Sequence, residues 1–259
     1  MLSYQHGYHA GNGADVHKHA ILAGLLRALT RKPRPISVLE THAGRGLYQL
    51  DSVEARKTGE AAFGIDRLMP GLAPPQAGDP YLDAVAHLRS QLGPRAYPGS
   101  PYITQANLRD GDSHILFERH PVEHRALCDA MEGSDARIRF GDGYEGVLAL
   151  APPTPRRGLV LVDPSYEVKS EYAEAAQFAH RLAARWPEAV IMIWYPLLDT
   201  PRHAPLLEGL ALPRLVHEVE VPQKAGHGMR GSGVMLLNPP HTARAVLDVA
   251  EALVAQLFG

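Results

Sequence analysis

The sequence predicts an α/β protein built on a mostly parallel, seven-stranded sheet. Seven short runs have strand length and are apolar in most positions. Helical patterns lie between several of them, and a glycine turn directly follows the first. Runs that are apolar along their length, rather than alternating, belong to strands covered on both faces, and their alternation with helices is the pattern of a parallel sheet.

The elements follow in order. Residues 15–31 (DVHKHAILAGLLRALTR) carry apolar positions at helical spacing, with Asp15 as the expected N-cap, basic residues at the far end, and Pro33 and Pro35 as the stop. Residues 36–41 (ISVLET) form a strand running into Gly44 and Gly46, which predicts a tight turn and then a helix. Between residues 50 and 110 lie helical pieces, AAFGIDRLM and YLDAVAHLRSQL, separated by Pro- and Gly-rich stretches; no strand is expected there. The remaining strands are SHILFE (113–118), ARIRF (136–140), GLVLVD (158–163), AVIMIWY (189–195), LVHEVEV (215–221) and GVMLLN (233–238), with a helix over 171–186. The expected organisation is a main domain of residues 1–50 and 100–259, with an inserted helical subdomain at 51–99.

Composition narrows the function classes. With 45% hydrophobic and 21% charged residues in 259, the chain has the profile of a soluble globular protein. The single cysteine, Cys128, excludes an intramolecular disulfide framework and fits a reducing compartment. No run approaches the ~20 apolar residues of a membrane span, and the N-terminus lacks the basic and apolar regions of a secretory signal, so a cytoplasmic location is expected. A net charge of −2 argues against a generally basic, nucleic-acid-coating surface. Local basic clusters remain at Arg27, Arg31, Lys32 and Arg34, at Arg156 and Arg157, and at Lys224, His227 and Arg230.

In open parallel sheets, ligands bind beyond the carboxyl ends of the strands. The first such loop reads Glu40-Thr41-His42-Ala43-Gly44-Arg45-Gly46, whose glycines let backbone approach a ligand. A dinucleotide fingerprint would need a third glycine, but position 49 is Gln, and no acid stands about 20 residues on at the end of a second strand. The acid ending the second strand is Glu118, and Asp142 follows the third. This ordered set fits S-adenosyl-L-methionine better than NAD.

The fourth strand ends in Asp163-Pro164-Ser165-Tyr166. An exocyclic amine on a nucleobase is a poor nucleophile because its lone pair is conjugated into the ring. The Asp163 carboxylate and the Pro164 carbonyl could accept its two N–H groups and favour a more tetrahedral nitrogen. Asp163 or water then takes the proton, and Tyr166 offers a stacking face. The plainer alternative is an Asp-Pro turn closing a strand above a core tyrosine.

This tetrapeptide resembles the Asp/Asn-Pro-Pro-Tyr/Phe motif of amino-methyltransferases. Together with MLSYQHGYHAGNGADVHKH (1–19), THAGRGLYQL (41–50), YPGSP (97–101), RRGLVLVDPSYE (156–167) and WYP (194–196), the chain resembles the RlmJ-type 23S rRNA adenine-N6 methyltransferases from its first residue to about Pro240. The resemblance implies a Rossmann-like class I methyltransferase fold with a helical subdomain inserted after the first strand and helix, and an N-terminal cofactor motif within residues 1–34. It implies cofactor contacts at Lys18, His19, His42, Gly44, Ser100, Glu118, Asp142, Gly143 and Asp163. It makes Asp163 the catalytic acid and Tyr4 a residue that handles the target adenosine. The implied enzyme acts as a monomer on 23S rRNA, free or in early assembly particles. Two positions depart from the pattern: Ser165 replaces the second proline, and Glu40 stands where the family often has Asp. No metal is expected, because His17 and His19 are two apart and face different sides of a helix. The alternatives are the same chemistry on DNA or protein glutamine, or a non-catalytic RNA-binding assembly factor.

Overall fold

The computed structural model describes residues 5–69, 78–222 and 228–259. Tyr4, Lys224 and His227 lie outside the described residues.

The first helix, α1 (Gly13–Thr30), is buried along most of its length because it runs between the sheet and the helices α4 (Pro80–Leu92), α5 (Ser100–Asn107) and α10 (Ala243–Ala255). Its cap is Asn12, whose side chain accepts the Asp15 N–H at 2.9 Å, so Asp15 is not the N-cap. Asp15 instead turns its carboxylate inward, where Oδ2 accepts the Gly11 N–H at 2.9 Å.

The main sheet contains β1 (Ser37–Glu40), β4 (Ser113–Glu118), β5 (Arg137–Phe140), β6 (Gly158–Val162), β7 (Ala189–Leu198), β8 (Arg214–Glu220) and β9 (Met229–Leu237). Their spatial order is β5-β4-β1-β6-β7-β9-β8. The pairs β1/β4, β1/β6, β4/β5 and β6/β7 are parallel, while β9 runs antiparallel to both β7 and β8. The expected mostly parallel seven-stranded sheet is therefore present. β1 and β6 are buried at every position, as their unbroken apolar runs require. Helices α6 (Pro121–Ala130), α7 (Gly143–Leu150) and α8 (Ser170–Arg185) alternate with the parallel strands, and α10 (Ala243–Ala255) packs on α1. A short helix, α9 (Ala204–Glu208), follows β7.

The segment between β1 and β4 differs from expectation at two points. The glycine turn leads not into a helix but into β2 (Leu47–Gln49), which pairs antiparallel with β3 (Ala96–Pro98). The helix that returns to the main sheet is α5 (Ser100–Asn107), on the far side of the insertion. Between β2 and β3 lie α2 (Val53–Thr58), α3 (Ile65–Leu68) and α4 (Pro80–Leu92). α4 starts on an Asp79 cap with proline in its first turn and buries Tyr81, Leu82, Val85 and Leu88, the spacing of one helical face.

The basic clusters near Arg34 and Arg157 sit at the amino ends of β1 and β6, where Ser37 N–H bonds the Arg157 carbonyl at 2.9 Å. There they cap backbone: Arg157 donates to the Leu29 carbonyl at 2.7 Å, and Arg109 to the Thr30 and Lys32 carbonyls at 2.6 and 2.7 Å. Arg156 pairs with Glu188 at 2.8 Å.

Candidate active site

Beyond the carboxyl ends of β1, β4, β5 and β6 opens a cavity of about 510 Å³. Its wall includes Lys18, His19, His42, Gly44, Ser100, Glu118, Asp142, Gly143, Asp163, Pro164 and Tyr166. All the expected site residues except Tyr4 thus share one cavity, at the point where the sheet order reverses around β1.

The glycine turn is held by the acid of the neighbouring strand. Glu118 Oε2 accepts the Gly44 N–H at 2.8 Å and Oε1 accepts the His120 N–H at 2.7 Å. Burial raises the Glu118 carboxyl pKa, and these backbone donors only partly offset that rise. Gly44 has φ +63°, and a Cβ there would lie 2.8 Å from the Tyr48 hydroxyl. Asp142 caps α7, accepting the Tyr144 and Glu145 N–H groups at 2.9 and 3.1 Å. Gly143 packs against β1 so closely that a Cβ would fall 1.9 Å from the Thr41 carbonyl oxygen. These glycines and acids leave a backbone-lined cradle with carboxylates on its rim, which suits a nucleoside.

Ser100 reaches the cavity at the start of α5, yet its hydroxyl donates to Glu40 Oε2 at 2.6 Å. Glu40 is fully buried and also accepts from Thr104 at 2.9 Å, with His114 Nε2 at 3.2 Å from the same oxygen. The acid ahead of the glycine turn therefore lies behind the cavity wall and fixes α5 to β1.

Two histidines line the cavity in neutral form. Burial pushes His19 down to about 3 and His42 down to about 4. His19 Nδ1 lies 2.9 Å from the Tyr97 hydroxyl, which is itself 3.2 Å from that of Tyr81. The insertion thereby buttresses a cavity residue. His17 faces elsewhere, 2.8 Å from Ser232 on β9, so the two histidines diverge as their spacing requires.

The β6 exit carries the reactive segment. Asp163 Oδ2 accepts a hydrogen bond from Lys18 Nζ at 2.7 Å, and Lys18 also lies 3.2 Å from Asp15 Oδ1. Burial alone would lower the Lys18 ammonium pKa, but Asp163 and then Asp15 override it and raise it. Asp15 is itself held well below the ordinary carboxylate range; burial opposes this, and His6, Lys18 and His19 outweigh burial. Among the described residues, no protein donor engages Asp163 Oδ1. Pro164 is buried, and Ser165 turns its hydroxyl to Glu171 at 3.4 Å. Tyr166 has φ +54°, a strained setting for a bulky side chain. Its hydroxyl donates to the Trp194 carbonyl at 2.7 Å, and its ring stacks on Tyr172 with centroids 4.3 Å apart.

Reading the residues alone made Asp15 only a helix cap and gave Trp194 no part in the site. Asp15 had a signal, since an acid three residues before a lysine on one helix marks an ion pair. Trp194 had only its place in an apolar strand.

A family model described as "RsmJ: Ribosomal RNA large subunit methyltransferase D, RlmJ" matches residues 33–258. Two curated relatives bear the name Ribosomal RNA large subunit methyltransferase J. The protein from Escherichia coli (strain K12) is 36% identical over 246 residues, covering 93% of this chain and 88% of the relative. That from Haemophilus influenzae (strain ATCC 51907) is 35% identical over 251 residues, covering 93% and 89%. Among solved structures, protein LPL1258 from Legionella pneumophila str. Philadelphia 1 superposes with a TM-score of 0.80 at 31% identity, over 96% of this chain and 95% of that one. The matched stretch contains every strand of the sheet and the whole Asp163–Tyr166 exit, and the chain belongs to the RlmJ family of ribosomal RNA large subunit methyltransferases.

Proposed function

We propose that the chain transfers a methyl group from S-adenosyl-L-methionine to the exocyclic N6 of an adenosine in 23S rRNA. The observation that carries this reading is the meeting of the Asp163-Pro164-Ser165-Tyr166 exit with the glycine cradle in one cavity. The cradle fits the cofactor on its own terms: Gly44 and Gly143, where a Cβ would strike the Tyr48 hydroxyl and the Thr41 carbonyl, bring bare backbone to the cavity wall, and Glu118 and Asp142 stand where hydroxyls and an amine would be recognised. Neutral His19 and His42 and the start of α5 at Ser100 complete the set that would hold it. When bound, the cofactor supplies an electrophilic methyl group on a sulfonium.

The protein's part is to make the amine nucleophilic. Lys18 occupies Oδ2 of Asp163 and holds the carboxylate in place, which leaves Oδ1 to accept one amine N–H. The Pro164 carbonyl accepts the other, and proline brings no competing N–H of its own. Both acceptors draw the nitrogen lone pair out of conjugation. Methylation would make the nitrogen acidic, and Asp163 or water would take its proton. Tyr166, braced by Trp194 and Tyr172, gives the base a rigid aromatic wall. Ser165 needs no part in this chemistry, since both acceptors precede it and its hydroxyl is turned to Glu171.

The protein is further proposed to act as a monomer in the cytoplasm, on rRNA free or in early assembly particles, without a metal. Among the described residues, no helix is long and apolar enough to cross a membrane. Mapping N6-methyladenosine in 23S rRNA from cells with and without the protein tests the reading. One site that vanishes with the protein and returns with the wild-type chain, but not with Asp163→Ala, is the expected result. Tritium from labelled cofactor appearing in DNA or protein and none in 23S rRNA would overturn it.

A further inference from the structure

Trp194 stands half-buried in the cavity wall, where three contacts tie it to the reactive segment. Its carbonyl anchors the Tyr166 hydroxyl, its ring lies 6.1 Å from the Tyr166 ring at 52°, and Lys18 Nζ sits 5.2 Å from its ring centroid. The same lysine holds Asp163.

The indole N–H of Trp194 begins a chain of hydrogen bonds across four further residues. It donates to Ser232 Oγ at 2.9 Å, and Ser232 Oγ lies 2.8 Å from His17 Nδ1. His17 Nε2 is 3.0 Å from His217 Nδ1, and His217 Nε2 is 3.2 Å from Glu251 Oε2. The two ends are fixed, because an indole can only donate and a carboxylate can only accept: Ser232 Oγ accepts from Trp194, and Glu251 accepts from His217 Nε2. Burial, with His217 as the second cause, pushes His17 down to about 3, so it stays neutral and offers the chain one donor and one acceptor.

This is more than an indole needs. Trp186, fully buried, satisfies its N–H with the Arg156 carbonyl alone, at 2.6 Å. Trp194 instead draws a fully buried serine from β9, a fully buried histidine from α1, a histidine from β8 and a glutamate from α10. Side-chain order of this kind restricts the ring to one rotamer, and the ring is what Lys18 and Tyr166 lean on.

We propose that Ser232 and His17 are positioning residues for methyl transfer: through the Trp194 indole they lock the ring against Lys18 and Tyr166 and so hold the Asp163 segment in register with the incoming base. This rests on the adenosine reading above. The test compares Ser232→Ala, Trp194→Phe and the double variant by single-turnover methylation of a 23S rRNA fragment, cofactor binding, and acrylamide quenching of tryptophan fluorescence. Ser232→Ala should slow the saturated step about tenfold and leave cofactor affinity within about twofold. It should also raise quenching, to which fully buried Trp186 contributes little, and it should cost nothing further once Trp194 is Phe. Ser232→Thr, which keeps the hydroxyl, should restore the rate. Additive losses in the double variant, or unchanged rate and quenching in folded Ser232→Ala, would overturn the proposal. If Ser232→Ala does not fold, His217→Ala cuts the chain at a side chain 15% exposed; quenching should then rise and the rate fall about threefold, and no change in either overturns the proposal. Quenching needs no RNA. A wild-type protein inert on 23S rRNA would therefore defeat the adenosine reading while the quenching result still decides the role of Ser232.

Discussion

Lys18 Nζ lies 2.7 Å from Asp163 Oδ2, which joins the first helix of the chain to the exit of the fourth parallel strand, 145 residues later. The lysine is buried between Asp163 and Asp15, so removing its charge leaves two carboxylates facing each other without a cation. Lys18→Met should destabilise the fold by about 3–5 kcal/mol, the usual cost of breaking a buried ion pair, and should lower the methylation rate in whatever fraction folds. Urea unfolding followed by circular dichroism reads the first effect. A loss below about 1 kcal/mol would mean that the pair is solvated in solution.

Glu118 spends both carboxylate oxygens on backbone N–H groups, one of them from Gly44. Glu118→Gln keeps the size but offers only one acceptor, so one N–H loses its partner and the amide donors face it. Cofactor affinity, measured by calorimetry, should fall about tenfold or more, with thermal stability falling less. Unchanged affinity would remove Glu118 from the cradle.

Gly143 has no room for a side chain, since a Cβ would stand 1.9 Å from the Thr41 carbonyl oxygen. Gly143→Ala must push α7 away from β1 and should cost more than about 2 kcal/mol along with measurable cofactor binding. Gly133, where a Cβ would meet nothing within 4 Å but φ is +79°, is the matched control: Gly133→Ala should cost about 1 kcal/mol and leave binding intact.

His17 and His19 are buried and neutral, with folded values pushed down to about 3 from 6.5. The unfolded chain therefore binds protons that the folded chain refuses. Their contribution to stability is complete above pH 6.5 and is lost as the pH falls toward 3. With His42, pushed down to about 4, the slope near pH 5 should approach three protons, about 4 kcal/mol per pH unit. His17→Gln should remove about a third of it. Denaturant titrations at pH 7, 6 and 5 give the slope, and a flat profile would show that water reaches these rings.

β1, β4, β6, β7 and β9 were legible because both-face burial leaves largely apolar runs, and β4 and α8 fall within a residue of where their patterns place them. The shared cavity of Gly44, Glu118 and Asp142 was legible because the fold puts the ends of successive parallel strands side by side. β2 was not, since Leu47–Gln49 is extended through pairing with Ala96–Pro98, a partner that no local pattern announces. The helix cap was misplaced because Asn12 and Asp15 are both good caps; the choice fell to the Lys18 ammonium and to His6 Nε2, 2.9 Å from Asp15 Oδ2, which draw Asp15 inward. That Glu40, the acid just ahead of the glycine turn, points at Ser100 and Thr104 was not legible, since only the placement of α5 against β1 brings them together.

The pairing of β2 with β3 has a consequence for how this lineage can change. Gly99 N–H bonds the Gly46 carbonyl at 2.8 Å, so the chain departs from the sheet and rejoins it across a single ladder. Lengthening a loop already pinned at its base costs only a logarithmic increment in closure entropy. The exposed positions between β2 and β3 can therefore be extended or rewritten, while Tyr81 and the buried face of α4 stay to support His19 and the glycine turn and α5 keep their places on either side of the doorway.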